Sequence, residues 1–149
     1  MKTQILFIGL AVAAGAMLPI QAGLNVQLGK SVHQPIFAAF ASFLIGSLGL
    51  LVYLFLLKFD FGTVSQARTV SPMVWVAGIL GAFYVAAVII LAPKLGTALT
   101  FSLVVTGQMA ISLLLDHYGL LGLPVRHINW QRLLGVAFLI TGVLLIRKF

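Results

Sequence analysis

Four polar side chains recur at helical spacing in an apolar segment that begins near residue 97. They are Thr100, Gln108, Ser112 and Asp116, which follow one another at multiples of four. Residues four apart lie on one face of an α-helix, so a helix here presents two hydroxyls, an amide and a carboxyl as one strip. Such a strip can bind a polar solute through hydrogen bonds. It can equally bond to neighbouring helices and hold a bundle together.

The first apolar segment is predicted to carry a second polar strip. Gln21 and Asn25 are one helical turn apart and therefore share a face. Amides are costly to expose to lipid, so both should face protein or water. If they face Gln108 across a cavity, the site holds amides and hydroxyls without a buried charge. We therefore predict that the substrate-binding residues are Gln21, Asn25, Thr100, Gln108 and Ser112.

Acidic side chains are absent from the interior of every apolar segment. The chain has only Asp60 and Asp116, and both lie in loops or at helix ends. Exporters that expel cations by proton exchange rely on a carboxylate inside the membrane, so a neutral or zwitterionic solute suits this chain better. Asp116 is a candidate for coupling transport to an ion. The alternative is an interfacial acid beside His117.

Composition argues against several other classes of protein. Of 149 residues, 62% are hydrophobic and only 7% are charged, whereas a soluble domain carries about 25% charged residues. The net charge of +7 comes from single residues between apolar runs, which argues against nucleic acid as a partner. The sequence has no cysteine, no His cluster at metal spacing and no Gly-rich phosphate loop in context. We therefore expect no enzyme activity, no cofactor and no metal.

Five apolar segments are long enough to position these side chains as membrane-spanning helices, since a spanning helix needs about 20 apolar residues. The sequence predicts an all-α integral membrane protein, with one transmembrane domain over residues 1–149. The spans are predicted at about 4–28, 35–57, 73–92, 97–115 and 130–146.

Prolines and capping residues mark most of the predicted helix ends. Pro35 opens the second helix, Ser71 caps the third and Pro93 closes it. Thr97 is predicted to cap the fourth helix, and Asn129 the fifth.

The first helix is predicted to continue through Pro19. Residues 5–18 alone would cover about 21 Å, which is too short to cross a membrane, whereas continuing to Leu28 gives about 36 Å. The alternative is an early helix end, with Gln21, Asn25 and Gln27 in a solvated loop.

Nine Lys and Arg residues flank the segments and divide almost evenly between the two faces of the membrane. Because connections alternate sides, five lie on the face of the N-terminus and four on the other. Orientation is normally set by an excess of Lys and Arg on the cytoplasmic side. Without that excess the chain can insert both ways, and two copies can then pack upside down against each other. The N-terminal face holds Lys2, Lys58, Arg68, Arg126 and Arg132, and the other face holds Lys30, Lys94, Arg147 and Lys148.

Four segments together carry a family resemblance. They are Pro-Ile-Gln-Ala-Gly-Leu-Asn at 19–25, Val-Thr-Gly-Gln-Met at 105–109, Asp-His-Tyr-Gly-Leu-Leu-Gly at 116–122 and Arg-Leu-Leu-Gly-Val-Ala-Phe-Leu-Ile-Thr-Gly at 132–142. In order and spacing the chain resembles the YdcZ-like inner-membrane exporters, a branch of the drug/metabolite transporter (DMT) superfamily. The resemblance implies a bacterial inner-membrane protein of five helices, a half-size unit that pairs with itself or a sister chain. Its motif positions are Gln21, Asn25, Gly107, Gln108, Asp116 and Gly119.

Two hypotheses account for these features. In the first, the chain is a half-size transporter of a small neutral or zwitterionic metabolite, and two antiparallel copies share a binding site at the membrane midplane. In the second, it is a non-transporting membrane subunit that stabilises or regulates a partner transporter, and the polar strips only join helices. A passive channel is a third option, although five helices per copy leave little room for an open pore.

The charge balance predicts mixed orientation in the native membrane. Single cysteines placed at Thr3 and at Phe149 should each react with an impermeant thiol reagent in part of the population of intact cells. Both should react fully after lysis, and the cysteine-free parent chain is the control. Labelling of one position alone would show a fixed orientation and contradict insertion both ways.

Overall fold

The regular structure of the protein is helical throughout the described residues. A computed structural model describes residues 2–149. Each of its five α-helices is long and apolar enough to cross a membrane. The third span includes the short 3-10 helix that precedes the α-helix. This confirms the predicted all-α membrane protein with five spans. The helices are α1 (Lys2–Ser31), α2 (Pro35–Leu56), α3 (Val76–Leu95), α4 (Thr97–Tyr118) and α5 (Trp130–Lys148), with 3-10 helices at Phe61–Thr69, Pro72–Trp75 and Leu120–Gly122.

The α1 helix continues through Pro19 without a break in its helical assignment. Gln21, Asn25 and Gln27 therefore lie within a helix, and the alternative of an early end is wrong. A proline removes one backbone hydrogen bond. Membrane helices tolerate this loss where other groups satisfy the freed carbonyl.

Three predicted helix starts are confirmed by their caps. Pro35 is the first residue of α2, and the preceding Gln34 accepts a hydrogen bond from the Ile36 N–H at 3.3 Å. The Ser71 hydroxyl accepts from the Met73 N–H at 3.4 Å, at the 3-10 turn that leads into α3. Asn129 Oδ1 accepts from the Arg132 N–H at 2.9 Å and so caps α5.

Two predicted helix boundaries between α3 and α4 are wrong. Pro93 lies inside α3, which ends at Leu95. Thr97 is the first residue of α4 rather than its cap. The break is made by Gly96, whose φ of +83° is open to glycine and strained for other residues. A proline disturbs the helical turn on its N-terminal side. The positive φ of Gly96 is not helical, so α3 ends before this residue and α4 begins after it.

The described chain falls into two compact units, so the single domain stays a prediction. In the unit that ends at Pro93, the core is formed by Ala38, Ala39 and Ile89. Ala38 has no exposed surface. A Cβ atom on Gly29 would lie 3.2 Å from the Pro35 Cα, so glycine lets the end of α1 approach the start of α2.

The second unit, Lys94–Phe149, packs α4 against α5. Gly119 ends α4 in the left-handed region at φ +60°, and a side chain there would collide with Val125. The Arg126 N–H then donates to the Asp116 carbonyl at 2.8 Å. These contacts return the loop towards α4 and place the first turn of α5 beside the end of α4.

Candidate functional site

Ser42 of α2 joins the two amides predicted on α1. Gln21 Nε2 donates to the Ser42 hydroxyl oxygen at 3.2 Å, and Asn25 Nδ2 donates to the same oxygen at 3.3 Å. Asn25 is buried, with 7% of its surface exposed, whereas Gln21 is exposed. The structure therefore brings two of the predicted binding residues together on one hydroxyl.

This bonding pattern decides what the amide cluster offers to a ligand. The shared oxygen of Ser42 accepts from both amide nitrogens, which occupies its two lone pairs. The amide carbonyls of Gln21 and Asn25 and the hydroxyl hydrogen of Ser42 take no part in these two bonds. Gln21 is the exposed member of the cluster, and its amide carbonyl can accept a further hydrogen bond.

Sequence reasoning did not identify Ser42 as the partner of these two amides. This serine lies four residues after Ala38 and four before Gly46, in a stripe of small residues that suggests helix packing. The one available signal was its hydroxyl, placed on a face predicted to meet another helix. Since α1 and α2 do pack together, that hydroxyl meets α1 amides instead of lipid.

The predicted strip on α4 divides into buried and exposed members. Thr100 is 1% exposed, and its hydroxyl donates to the Gly96 carbonyl at 2.8 Å. Ser102 and Thr106 likewise donate to carbonyls of their own helix, at 2.7 and 2.8 Å, as expected for hydroxyls in a membrane helix. Gln108 is exposed, near the middle of α4.

The Gln108 amide forms no hydrogen bond with residues 2–149, the part of the chain that the structure describes. Its NH₂ group has two donors and its carbonyl is an acceptor. In the hydrocarbon region these groups are costly without a partner. The partner must therefore come from outside the unit Lys94–Phe149, as water, a solute or another protein surface.

Asp116 is held by an arginine across the α4–α5 turn. Arg132 Nη1 donates to Asp116 Oδ2 at 3.2 Å and to the Arg126 carbonyl at 3.1 Å. The two charged side chains are 27% and 33% exposed, for Arg132 and Asp116 respectively. Together with Ser112 they line a cleft of about 300 Å³, so the structure brings Ser112 and Asp116 together.

His117 performs a different task from its neighbour Asp116. Its Nδ1 accepts the Ile128 N–H at 3.1 Å, which ties the loop to the end of α4. The partner of Asp116 is Arg132, a residue that the sequence analysis placed only among the charges of the N-terminal face. Within residues 2–149, no group of three acidic or histidine side chains gathers as a metal site.

These features define a multi-pass, all-helical membrane protein with polar groups on its spans and an ion pair at one helix end. The family described as "Putative inner membrane exporter, YdcZ" matches residues 6–145. The chain belongs to this family, as the resemblance in its motifs predicted, and family membership supports a transport role.

A curated relative covers nearly the whole chain. The chain is 27% identical over 148 residues to the protein named "Inner membrane protein YdcZ" of Escherichia coli (strain K12), and the match covers 97% of each chain. No solved structure matches it. Together with five membrane-spanning helices, these similarities confirm the predicted location in a bacterial inner membrane.

Replacing Ser42 should reveal how strongly the amide cluster holds α1 to α2. Ser42→Ala leaves the buried Asn25 amide without its partner and should lower the free energy of unfolding by about 1 kcal/mol. The measurement is a denaturant titration of the purified protein in micelles. Ser47→Ala, on an exposed part of α2, is the matched control. Equal stability of the two variants would contradict a structural contribution from the cluster.

Proposed function

We propose that this protein is a half-size exporter of a small neutral or zwitterionic metabolite, and that two oppositely oriented copies form the working unit. The observation that carries the proposal is the exposed Gln108 amide in the middle of a membrane-spanning helix. A polar group at that depth needs a partner. A passing solute provides one, and the membership of an exporter family makes a solute the natural candidate.

The absence of acidic residues from the spans supports the charge class of this solute. Among residues 2–149, both Asp side chains lie away from helix interiors, Asp60 before a 3-10 helix and Asp116 in the last turn of α4. A cation held at mid-span would have no carboxylate to neutralise it. Amides and hydroxyls bind neutral hydrogen-bonding groups without a matching charge. We propose that Gln21, Gln108 and Ser112 contact the solute. The other two predicted residues, Asn25 and Thr100, would support their helices from buried positions.

Pairing of inverted copies is supported by helix number and charge. Five spans put the two ends of the chain on opposite faces, and Lys and Arg are balanced between those faces. Two inverted halves would give a site that exchanges access between the two sides of the membrane. A sister chain of opposite orientation would complete the same architecture.

One observation favours the alternative of a non-transporting subunit. Gln21 and Asn25 already bond within the chain to Ser42, which is what polar contacts between helices require. Under this alternative Gln108 would bond to the partner transporter. The two functions predict different effects of a Gln108 substitution. A transporter should lose export per copy, whereas a non-transporting subunit should lose protein amount.

Gln108→Leu should strongly reduce export without removing the protein from the membrane. Cells that overproduce the wild-type chain should accumulate specific metabolites in the medium relative to cells with an empty vector, as measured by mass spectrometry. In Gln108→Leu this excess should fall about tenfold per membrane-inserted copy, the loss expected for one hydrogen-bonded contact to the solute. Gln131→Leu, at the exposed start of α5, is the control. A lower protein level with unchanged export per copy would instead support the non-transporting subunit.

Orientation-locked variants should be inactive alone and active together. Lys30→Gln with Lys94→Gln biases the N-terminus inward, because positive charge remains on that face. Replacing Lys58, Arg68 and Arg126 by Gln biases the chain in the opposite way. Export measured as above should be lost in each variant and restored by co-expression. Full activity of either variant alone would contradict an inverted homodimer.

A further inference from the structure

The α4–α5 cleft carries both signs of charge at one edge and an apolar surface beside them. Asp116, Arg132 and Ser112 supply the polar groups. We propose that this cleft binds small zwitterions that have a primary ammonium and an oxyanion, with the ammonium on Asp116 and the oxyanion on Arg132. If the bound zwitterion is a free solute, this inference rests on the proposed export function and names the class of molecule that is exported. The remaining lining residues are Met109, Leu113, Gly135, Val136 and Leu139.

Both charged groups have bonding capacity beyond their own ion pair. Within residues 2–149 only Nη1 of Arg132 and only Oδ2 of Asp116 take part in side-chain hydrogen bonds. A guanidinium has five N–H donors in a planar fork, so Nη2 and Nε can hold an oxyanion in two-point contact. The second carboxylate oxygen of Asp116 can accept from an ammonium. A zwitterion can thus bind to both Arg132 and Asp116. A simple cation or anion can bind to only one of these side chains and is repelled by the charge of the other.

Exposure and size also suit a small ligand. The ion pair is partly exposed, so it adds little stability and can adjust its geometry at small cost. A volume of about 300 Å³ lies at the lower end of the range for small-molecule sites. The apolar wall from α4 and α5 fits a hydrocarbon side chain. These features favour an amino acid with an apolar side chain over a larger or fully polar solute.

Analogues of one amino acid separate the two charge contacts. The full-length protein would be placed in phosphatidylcholine nanodiscs, and binding of L-leucine, N-acetyl-L-leucine and L-leucinamide would be measured by calorimetry. Leucine should bind about tenfold more tightly than either analogue, because each analogue lacks one charged contact. Equal binding of all three would overturn the proposal.

Matched variants distinguish direct binding from support of the loop. Arg132→Gln should weaken leucine about tenfold and leave leucinamide unchanged, whereas Asp116→Asn should weaken leucine and leave N-acetyl-leucine unchanged. Arg126→Gln keeps the backbone carbonyl that Arg132 contacts and should bind leucine as the wild type does. Thermal unfolding measured without ligand identifies variants that fail to fold. If Arg132→Gln fails to fold, Arg132→Lys replaces it and should likewise weaken the binding of leucine. Equal weakening of leucine and leucinamide by the Arg132 substitution would show a loop support and overturn the proposal.

A second set of binding measurements, with phosphatidylethanolamine in the nanodisc, identifies whether the zwitterion is a lipid headgroup or a free solute. Phosphatidylethanolamine has the same primary ammonium and oxyanion in its headgroup, whereas the quaternary ammonium of phosphatidylcholine has no N–H. If phosphatidylethanolamine in the nanodisc weakens leucine binding about tenfold, the headgroup competes for the cleft and is its membrane occupant. Unchanged leucine binding supports a free solute. If leucine does not bind in phosphatidylcholine, and native mass spectrometry finds phosphatidylethanolamine equally retained by wild type and Arg132→Gln, the proposal is wrong.

Failure here is separable from failure of the proposed function. Loss of export in Gln108→Leu without zwitterion binding in the cleft would overturn this inference alone. Zwitterion binding through Asp116 and Arg132, with export unaffected by Gln108→Leu, would overturn the proposed role of the α4 strip alone.

Discussion

The hydrocarbon interior of a membrane supplies no hydrogen bonds, and every polar group of this chain has to be placed accordingly. Backbone N–H and C=O groups meet this demand within helices, which is why the spans are helical throughout. Several hydroxyls on the spans meet it locally. Ser102, Thr106 and Thr141 each donate to a carbonyl four residues earlier in their own helix, at 2.7 to 2.9 Å. These residues are therefore already satisfied and need no solute.

Amides cannot be satisfied in the same way, because they have more donors and acceptors than one helix can match. The chain handles this problem differently in its two units. On α1, Gln21 and Asn25 find Ser42 of the adjacent helix. On α4, Gln108 stays exposed at mid-span. This contrast supports the proposal that some amides join helices and that Gln108 contacts the solute.

Charge lies at the ends of the spans and in the connecting segments, where headgroups and water lower its cost. Asp116 and Arg132 pair there, and the loop between them is tied back by the bonds of Arg126 and Ile128. The result is a cleft between two helices, with the ion pair at one edge and an apolar wall beside it.

The sequence by itself determined the class and the number of spans, because long charge-free runs leave few alternatives in a membrane. Helix length favoured a first helix that continues through Pro19, and the structure decided against an early end. The sequence also determined which polar residues share a helix face. Only the tertiary structure decided their partners, since neither the Ser42 contact nor the Asp116–Arg132 pair has a signature in local spacing. Pro93 and Thr97 show the same limit at helix ends. There the conformation of Gly96 decides where α4 begins, and a backbone angle depends on how the chain packs as well as on the residues beside it.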